Sequence, residues 1–207
     1  MTAAPPALSC LALGDSYTIG EAVSAEARWP AVLVERLRRA GVAIDDPRIV
    51  AVTGWTTDEL AQGMDDTSLT PAYDLVTLQI GVNNQYRGRS AADYRGEFAG
   101  LLARAVALAG NRPERVVVVS IPDWGVTRFA REQGRDPAAI AAALDAFNAI
   151  ARALAHRAGA HFVDITPISR RHPELLADDG LHPSAAQYAL WVEAILPVVR
   201  KALGPAP

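Results

Sequence analysis

The sequence predicts a three-layer α/β/α fold, in which helices cover both faces of a five-stranded parallel sheet. Short apolar runs alternate with longer amphipathic runs along the chain, which is the pattern of consecutive strand–helix–strand units. One run, Val116–Val119, contains valine alone and is too apolar for a strand with an exposed face. The chain has 207 residues and no linker-like segment, so we expect a single domain over residues 1–207.

The short apolar runs are the predicted strands. Several of them end at a glycine or at another residue typical of turns. In chain order, they are Leu8–Leu13, Arg48–Val52, Leu75–Ile80, Val116–Val119 and His161–Val163.

The amphipathic runs are the predicted helices, and glycines follow several of them as C-terminal stop signals. In chain order, they are Trp29–Ala40, a short helix from Thr57 and Asp58 through Leu60, Ser90–Ala109, Pro137–Ala158 and Ser184–Leu203. We expect Pro197 to kink or split the last helix, because proline cannot donate the helical hydrogen bond. The segment Asp123–Asp136 is rich in arginine and glycine, and we expect a long loop there, either a lid or a surface excursion.

Charge and composition narrow the possible partners and cofactors. A formal net charge of −3 gives no global reason to bind nucleic acid or an anionic membrane. Cys10 is the single cysteine, so an internal disulfide is excluded. No apolar stretch approaches the roughly 20 residues of a spanning helix, and residues 1–13 lack the basic start of a signal peptide. We therefore expect a cytoplasmic protein without an integral membrane segment.

Cofactor motifs are missing from the sequence. It contains no His-Glu-x-x-His motif and no paired cysteines, so we expect no metal site. It also lacks a Gly-x-Gly-x-x-Gly turn after the first strand and a phosphate-binding loop, so we expect no nucleotide cofactor. The candidate reactive groups are therefore side chains of the protein itself.

Those reactive side chains follow the predicted strands. Ser16 comes after the first strand, Gly54 after the second and Asn83 after the third, while Asp179 and His182 precede the last helix. The carboxyl ends of parallel strands lie at one edge of a sheet, so we expect these groups to meet there. A serine hydroxyl needs a base to become a nucleophile, and a histidine oriented by a carboxylate is a suitable base.

The spacing of three between Asp179 and His182 places both side chains on one side of a turn. Asp178, four residues before the histidine, is the competing partner, and we favour Asp179. Two aromatic residues, Trp55 and Tyr86, follow the proposed turns and are expected to line a substrate pocket. The motifs also have structural explanations: Ser16 can cap a helix, and glycine and asparagine commonly form turns. Because these residues occur together and in order along the chain, we favour the functional interpretation.

Together, these short motifs resemble the SGNH, or GDSL-type, hydrolase family. Gly14-Asp15-Ser16 is similar to the first block of that family, and Gly54 fits the glycine of the second block. Gly81-Val82-Asn83 fits the third block, and Asp179-Gly180-Leu181-His182 fits the last. The four blocks stand in the family order and span most of the chain.

The resemblance implies a flavodoxin-like domain that hydrolyses esters, thioesters or lysophospholipids. It implies that Ser16 is the nucleophile, and that Ser16 N–H, Gly54 N–H and the Asn83 amide form the oxyanion hole. Two positions depart from the family pattern: Asn84 replaces a common aspartate, and Tyr17 replaces a common leucine.

We therefore expect a carboxylic ester hydrolase that acts on small-molecule acyl esters through Ser16, His182 and Asp179, with an acyl-enzyme and without a cofactor. Two alternatives stay open at this point. One is a non-catalytic binding domain of the same fold, and the other is acyl transfer to an alcohol.

Overall fold

The computed structural model describes residues 6–204, and a parallel sheet of five strands lies at its centre. The strands are β1 (Cys10–Gly14), β2 (Arg48–Ala51), β3 (Leu75–Gln79), β4 (Val116–Val119) and β5 (His161–Val163). Their order across the sheet is β2-β1-β3-β4-β5, and every neighbouring pair is parallel. The predicted strands and the parallel arrangement are confirmed.

Nine α-helices in the described range connect and cover the strands. They are α1 (Ser16–Ile19), α2 (Trp29–Arg39), α3 (Thr57–Asp65), α4 (Val82–Tyr86), α5 (Ala91–Leu108), α6 (Arg128–Glu132), α7 (Pro137–Ala158), α8 (Thr166–Arg171) and α9 (Ala185–Leu203). Helix α2 packs against α9 and α5 packs against α7, while α7 and α9 both contact β4 and β5. This is the three-layer α/β/α arrangement that the alternating pattern predicts.

The central strands form the core of the sheet. β1, β3 and β4 are buried along their whole lengths, and the four valines of β4 are at most 2% exposed. Helices on both faces of a parallel sheet remove its strands from water, which is why these strands are almost continuously apolar.

The register of the sheet brings three strand ends to one level. Gly14, the last residue of β1, pairs with Ala51 of β2 and with Gln79 of β3. A Cβ atom at position 14 would lie 2.1 Å from Thr18 Oγ1 and 2.6 Å from the Gln79 carbonyl oxygen. Glycine is therefore required for the chain to turn directly from β1 into α1, and the residues after β1, β2 and β3 emerge side by side.

Helix α3 is longer than predicted and begins with a different cap. It runs to Asp65, and its N-cap is Thr56 rather than Thr57 or Asp58. The Thr56 backbone N–H donates to Glu59 at 2.8 Å in a capping box, which satisfies groups at the start of the helix.

Helix α9 is not split at Pro197, so the predicted split was wrong, while the predicted kink stays a prediction. It continues as one element through the proline. Buried residues on both sides, including Ile195 and Val199, pack into the core. The apolar contacts on this face keep the helix together despite the missing hydrogen bond.

The segment Asp123–Asp136 is mostly helical, which corrects the prediction of a long loop. A 3₁₀ turn at Trp124–Val126 and helix α6 occupy it. The Asp123 carboxylate accepts from the Gly125 N–H at 2.8 Å and also pairs with Arg170 Nε at 2.8 Å. These contacts fix the start of the segment to helix α8.

Helix α7 is the one helix within residues 6–204 that has the length and hydropathy required to span a membrane. Its apolar side includes Ile140, Leu144 and Phe147, and these residues are buried in the core against the sheet and α5. The apolar residues of α7 therefore pack inside the fold.

Candidate active site

Ser16 is the first residue of α1 and is 5% exposed. The helix is capped by Asp15, whose Oδ1 accepts from the Tyr17 N–H at 3.1 Å. Within residues 6–204, neither the Ser16 hydroxyl nor its N–H forms a hydrogen bond with the protein. Both groups are therefore available to a ligand.

His182 is held by Asp179. Its Nδ1 lies 2.6 Å from Asp179 Oδ2, and Asp179 Oδ1 accepts from the N–H groups of Leu181 and His182, each at 2.9 Å. Burial by itself raises the pKa of the Asp179 carboxyl. The hydrogen bonds from the His182 ring and from these two N–H groups outweigh burial and hold this pKa below its usual range. An ionised carboxylate accepts only, so Nδ1 donates to it and Nε2 carries the free lone pair.

Asp178 does not contact the imidazole. Its carbonyl oxygen accepts from Arg128 Nη2 at 2.6 Å, and its carboxylate forms no hydrogen bond with any residue of the described range. The carboxylate that orients His182 is thus Asp179, at the spacing of three favoured from the sequence.

A cavity of about 220 Å³ lies at the carboxyl edge of the sheet. It brings together residues that are far apart in the chain: Ser16, Tyr17, Val82, Asn83, Tyr86, Trp124, Phe129, Leu181 and His182. The proposed nucleophile, the proposed base and the third-block asparagine therefore share one cavity. No group of three or more His, Cys, Asp or Glu side chains in residues 6–204 could hold a metal ion.

Asn83 and Gly54, the residues predicted to supply oxyanion donors, each keep a hydrogen-bond donor free. Asn83 Nδ2 donates one hydrogen to the Trp55 carbonyl oxygen at 2.9 Å, which leaves its second hydrogen free. Gly54 adopts a positive φ of 90°, and its N–H has no acceptor in the part of the chain that the structure describes. Gly54 does not line the cavity itself, but it lies one residue from the carbonyl that holds the Asn83 amide.

Trp55, which the sequence assigned to the pocket, does not line this cavity. Its indole lies against Gly63 of α3, where a Cβ atom would come within 2.1 Å of the ring. Tyr86 does line the cavity. Tyr17, Trp124 and Phe129 are the other aromatic walls. The sequence gave no role to Trp124 and Phe129, whose signal was their place in a segment that is otherwise rich in arginine and glycine.

Tyr17 is a wall of the cavity and a neighbour of the proposed base. Its ring meets that of His182 edge-on, with centroids 5.7 Å apart, and lies 6.1 Å from that of Trp191. A leucine at this position would not provide the same flat edge beside the imidazole. The tyrosine at position 17, where the family commonly has leucine, therefore forms part of the cavity wall and packs beside His182.

Asn84, the residue after Asn83, binds the start of helix α3. It is fully buried, its Oδ1 accepts from the Thr57 N–H at 3.1 Å, and its Nδ2 donates to Thr57 Oγ1 at 2.6 Å and to Glu97 Oε2 at 3.3 Å. Glu97 already supplies a carboxylate at this place. An aspartate at position 84 would put a second carboxylate beside it and remove two donated hydrogen bonds, which explains why this chain carries the amide.

Gln79, at the end of β3, is a further polar group beneath the site. Its Nε2 donates to the Ser120 carbonyl oxygen at 3.1 Å, and its Oε1 accepts from Trp29 Nε1 at 3.1 Å and from Thr18 Oγ1 at 3.4 Å. It therefore ties α1 and α2 to the end of β4. The sequence signal was a glutamine in an otherwise buried apolar strand.

Comparison with known proteins adds family and fold information. The model of the GDSL-like lipase/acylhydrolase family matches residues 12–190. No curated protein matches the sequence of the chain.

Solved structures resemble the fold over almost its full length. TesA has a TM-score of 0.74 at 18% identity, covering 94% of this chain and 99% of TesA. A lipase/acylhydrolase from Enterococcus faecalis has a TM-score of 0.74 at 21% identity, covering 97% and 99%. AlinE4, an SGNH-hydrolase family esterase, has a TM-score of 0.68 at 24% identity, covering 98% and 100%. At these identities, the likeness shows a shared fold.

The first prediction concerns Asp15 and pH. Burial raises the pKa of Asp15 from its ordinary value of 3.8 to about 7, although N–H groups of Tyr17 and Gly81 act to lower it. Between pH 4 and 7 the unfolded chain loses this proton while the folded chain keeps it, so the contribution of Asp15 to the free energy of unfolding falls as pH rises. We expect the free energy of unfolding of Asp15→Asn, relative to that of the wild type, to rise between pH 4 and 7, measured by urea unfolding.

Asp178→Asn is the control for this measurement, because its carboxyl is exposed and forms no hydrogen bond with a described residue. It should leave the slope as in the wild type. An unchanged slope in Asp15→Asn would show that Asp15 does not titrate in this window.

The second prediction concerns Asn84 and Glu97. We expect Asn84→Asp to lower the free energy of unfolding by about 1–3 kcal/mol at pH 8, because buried donors are lost and two carboxylates meet. Adding Glu97→Gln should recover part of that loss, since it removes the repulsion. Urea unfolding of the two single variants and the double variant measures the coupling. Strictly additive losses would contradict this account of position 84.

Proposed function

The chain belongs to the GDSL-like lipase/acylhydrolase family and is an SGNH-type esterase, and we propose that it cleaves carboxylic esters through Ser16, His182 and Asp179. The observation that carries this proposal is the contact of 2.6 Å between Asp179 and an imidazole that shares one cavity with the unpaired Ser16 hydroxyl. An oriented base beside an available hydroxyl is the requirement for acyl transfer to serine.

In the acylation step, His182 Nε2 takes the proton of the Ser16 hydroxyl as Oγ forms a bond to the carbonyl carbon of the ester. The carbonyl oxygen becomes an oxyanion, and Asp179 stabilises the imidazolium while remaining ionised. His182 then gives the proton to the leaving alkoxide as the C–O bond breaks. The acyl group stays on Ser16, and an alcohol leaves.

In the deacylation step, a water molecule takes the place of the alcohol. His182 removes a proton from the water, hydroxide attacks the acyl carbon, and the proton returns to Ser16 Oγ as the acid is released. No metal or cofactor is required for either step, because acid, base and nucleophile are all side chains of this chain.

The oxyanion is stabilised by N–H donors that the protein leaves unused. We assign this role to Ser16 N–H, to Gly54 N–H and to the second hydrogen of Asn83 Nδ2. The Trp55 carbonyl orients the Asn83 amide in advance, so little reorganisation is needed when charge develops.

The size of the cavity supports short acyl groups. Its volume of about 220 Å³ is below the range of roughly 300–1,000 Å³ typical of pockets for drug-sized ligands. Tyr17, Val82 and Phe129 give it a largely apolar wall. We therefore propose that acetyl and other short acyl esters are cleaved faster than long-chain esters or lysophospholipids.

The third prediction tests the nucleophile. A fluorophosphonate probe should label the wild type at Ser16, and Ser16→Ala should remove the label and lower kcat for p-nitrophenyl acetate by a factor of at least about 10⁴. Peptide mass spectrometry locates the label, and thermal unfolding of Ser16→Ala checks that the variant is folded.

Two other outcomes would redirect the assignment. A folded wild type that binds esters but takes no label would favour the non-catalytic binding domain. Labelling at Ser16 with acyl transfer to an added alcohol in place of hydrolysis would favour the acyltransferase.

The fourth prediction uses two adjacent aspartates as a matched pair. Asp179→Asn removes the carboxylate on His182 Nδ1 and should lower kcat by roughly 10²–10⁴-fold, because the imidazole loses its orientation and its counter-charge. Asp178→Asn changes the same side chain one residue earlier, where the carboxylate forms no hydrogen bond with a described residue, and should retain near wild-type kcat. Steady-state kinetics with p-nitrophenyl acetate measures both. Equal losses in the two variants would refute the role of Asp179.

A further inference from the structure

Arg135 lies beside the cavity, over two of its aromatic walls. Its guanidinium carbon is 5.3 Å from the centroid of the Tyr86 ring and 5.2 Å from that of Trp124. Both rings line the cavity, and they meet edge-on at 5.3 Å. Trp124 is fixed in turn, because its Nε1 donates to Gln85 Oε1 at 2.7 Å. The guanidinium is therefore held at a defined place beside the cavity.

The Arg135 guanidinium retains its hydrogen-bonding capacity. The two arginines of the preceding helix α6 use theirs: Arg128 donates to the Asp178 carbonyl and lies near Glu132, and Arg131 donates to the Val126 carbonyl. Within residues 6–204, the Arg135 side chain has neither an acidic partner nor a hydrogen-bond acceptor. A cation that is exposed, held in place and unneutralised favours a carboxylate or another oxyanion as its partner.

The cavity itself offers nothing that would repel such an anion. No carboxylate is among its lining residues in the described range. Asp179 is neighboured by His182, and the nearby Asp136 carboxylate accepts from the Ala138 N–H at 2.9 Å at the start of α7. The lining of the cavity thus carries no negative charge, and the guanidinium of Arg135 beside it carries a positive one.

We propose that Arg135 selects esters that carry an anionic group, placing this group beside the cavity while the ester carbonyl lies at Ser16. This inference rests on the proposed function and adds the substrate class. The rings of Tyr86 and Trp124 hold the guanidinium plane, so less side-chain freedom is lost when the anion binds. The anionic group can belong to the acyl part or to the leaving group, and the experiment separates these cases.

The experiment compares matched esters that differ by one charge. On the leaving-group side, 4-acetoxybenzoate is compared with its methyl ester; on the acyl side, p-nitrophenyl hydrogen adipate is compared with its methyl ester. Arg135→Gln should lower kcat/KM for the anionic member of at least one pair by about two- to fivefold, mainly through KM, and leave the neutral member within twofold. The pair that responds identifies which part of the substrate carries the charge.

Controls separate charge recognition from a structural role of the stacked arginine. Arg135→Lys should retain most of the preference for the anionic esters. Raising the salt concentration to about 0.5 M should reduce this preference in the wild type, because salt screens an exposed charge. Arg157→Gln, an exposed change near the end of α7, should have no effect. Equal losses for anionic and neutral esters in Arg135→Gln, or no loss in either, would overturn the proposal.

A binding measurement repeats the comparison without turnover. In the Ser16→Ala background, benzoate should bind more tightly than benzamide, and Arg135→Gln should remove this difference, as followed by isothermal titration. Lack of ester hydrolysis by the wild type would refute the proposed function, whereas a benzoate preference that persists in Arg135→Gln would refute this inference alone.

Discussion

The site depends on satisfying the backbone groups that are buried where strands end. A parallel strand that stops inside a covered sheet exposes polar groups which water cannot reach, and these require partners. Buried side chains supply them here: Asp15 caps α1, Gln79 binds the carbonyl of Ser120 beyond β4, and Asn84 binds the N–H of Thr57 at the start of α3. Each of these contacts also fixes the position of a reactive neighbour.

In the loop before α9, a side chain also satisfies backbone polar groups, here at the surface. One oxygen of Asp179 accepts two backbone N–H groups, and the other oxygen accepts from the His182 ring. A single carboxylate therefore sets the shape of the loop, the direction of the imidazole and its tautomer. This explains the spacing of three in this chain: a carboxylate one residue earlier would not accept the N–H groups of Leu181 and His182 in the same turn. The hydrogen bonds to the backbone lower the pKa of Asp179, so structure and charge support each other.

The sequence predicted what local pattern and topology determine. Alternating apolar and amphipathic runs sufficed for five parallel strands, and the carboxyl-edge rule brought Ser16, Asn83 and His182 to one cavity. What it missed depends on contacts between distant segments. The indole of Trp55 lies on Gly63, and the helical segment after Asp123 is tied to Arg170 of α8. Neither contact leaves a periodic signal in the chain.

The proposed catalytic groups and the cavity walls are thus held by different kinds of interaction. Ser16 and Asn83 follow buried strands and rest on hydrogen bonds that are costly to lose. Trp124 and Phe129 come from the segment 123–136, which is fixed by the Asp123–Arg170 pair and by the stack beneath Arg135 at the surface. Asp123 is 2% exposed, so its pair with Arg170 is costly to break, whereas the stack beneath Arg135 lies at the surface and contributes little stability. Changes at Arg135 can therefore alter this wall of the cavity, while the proposed catalytic groups stay where the sheet places them.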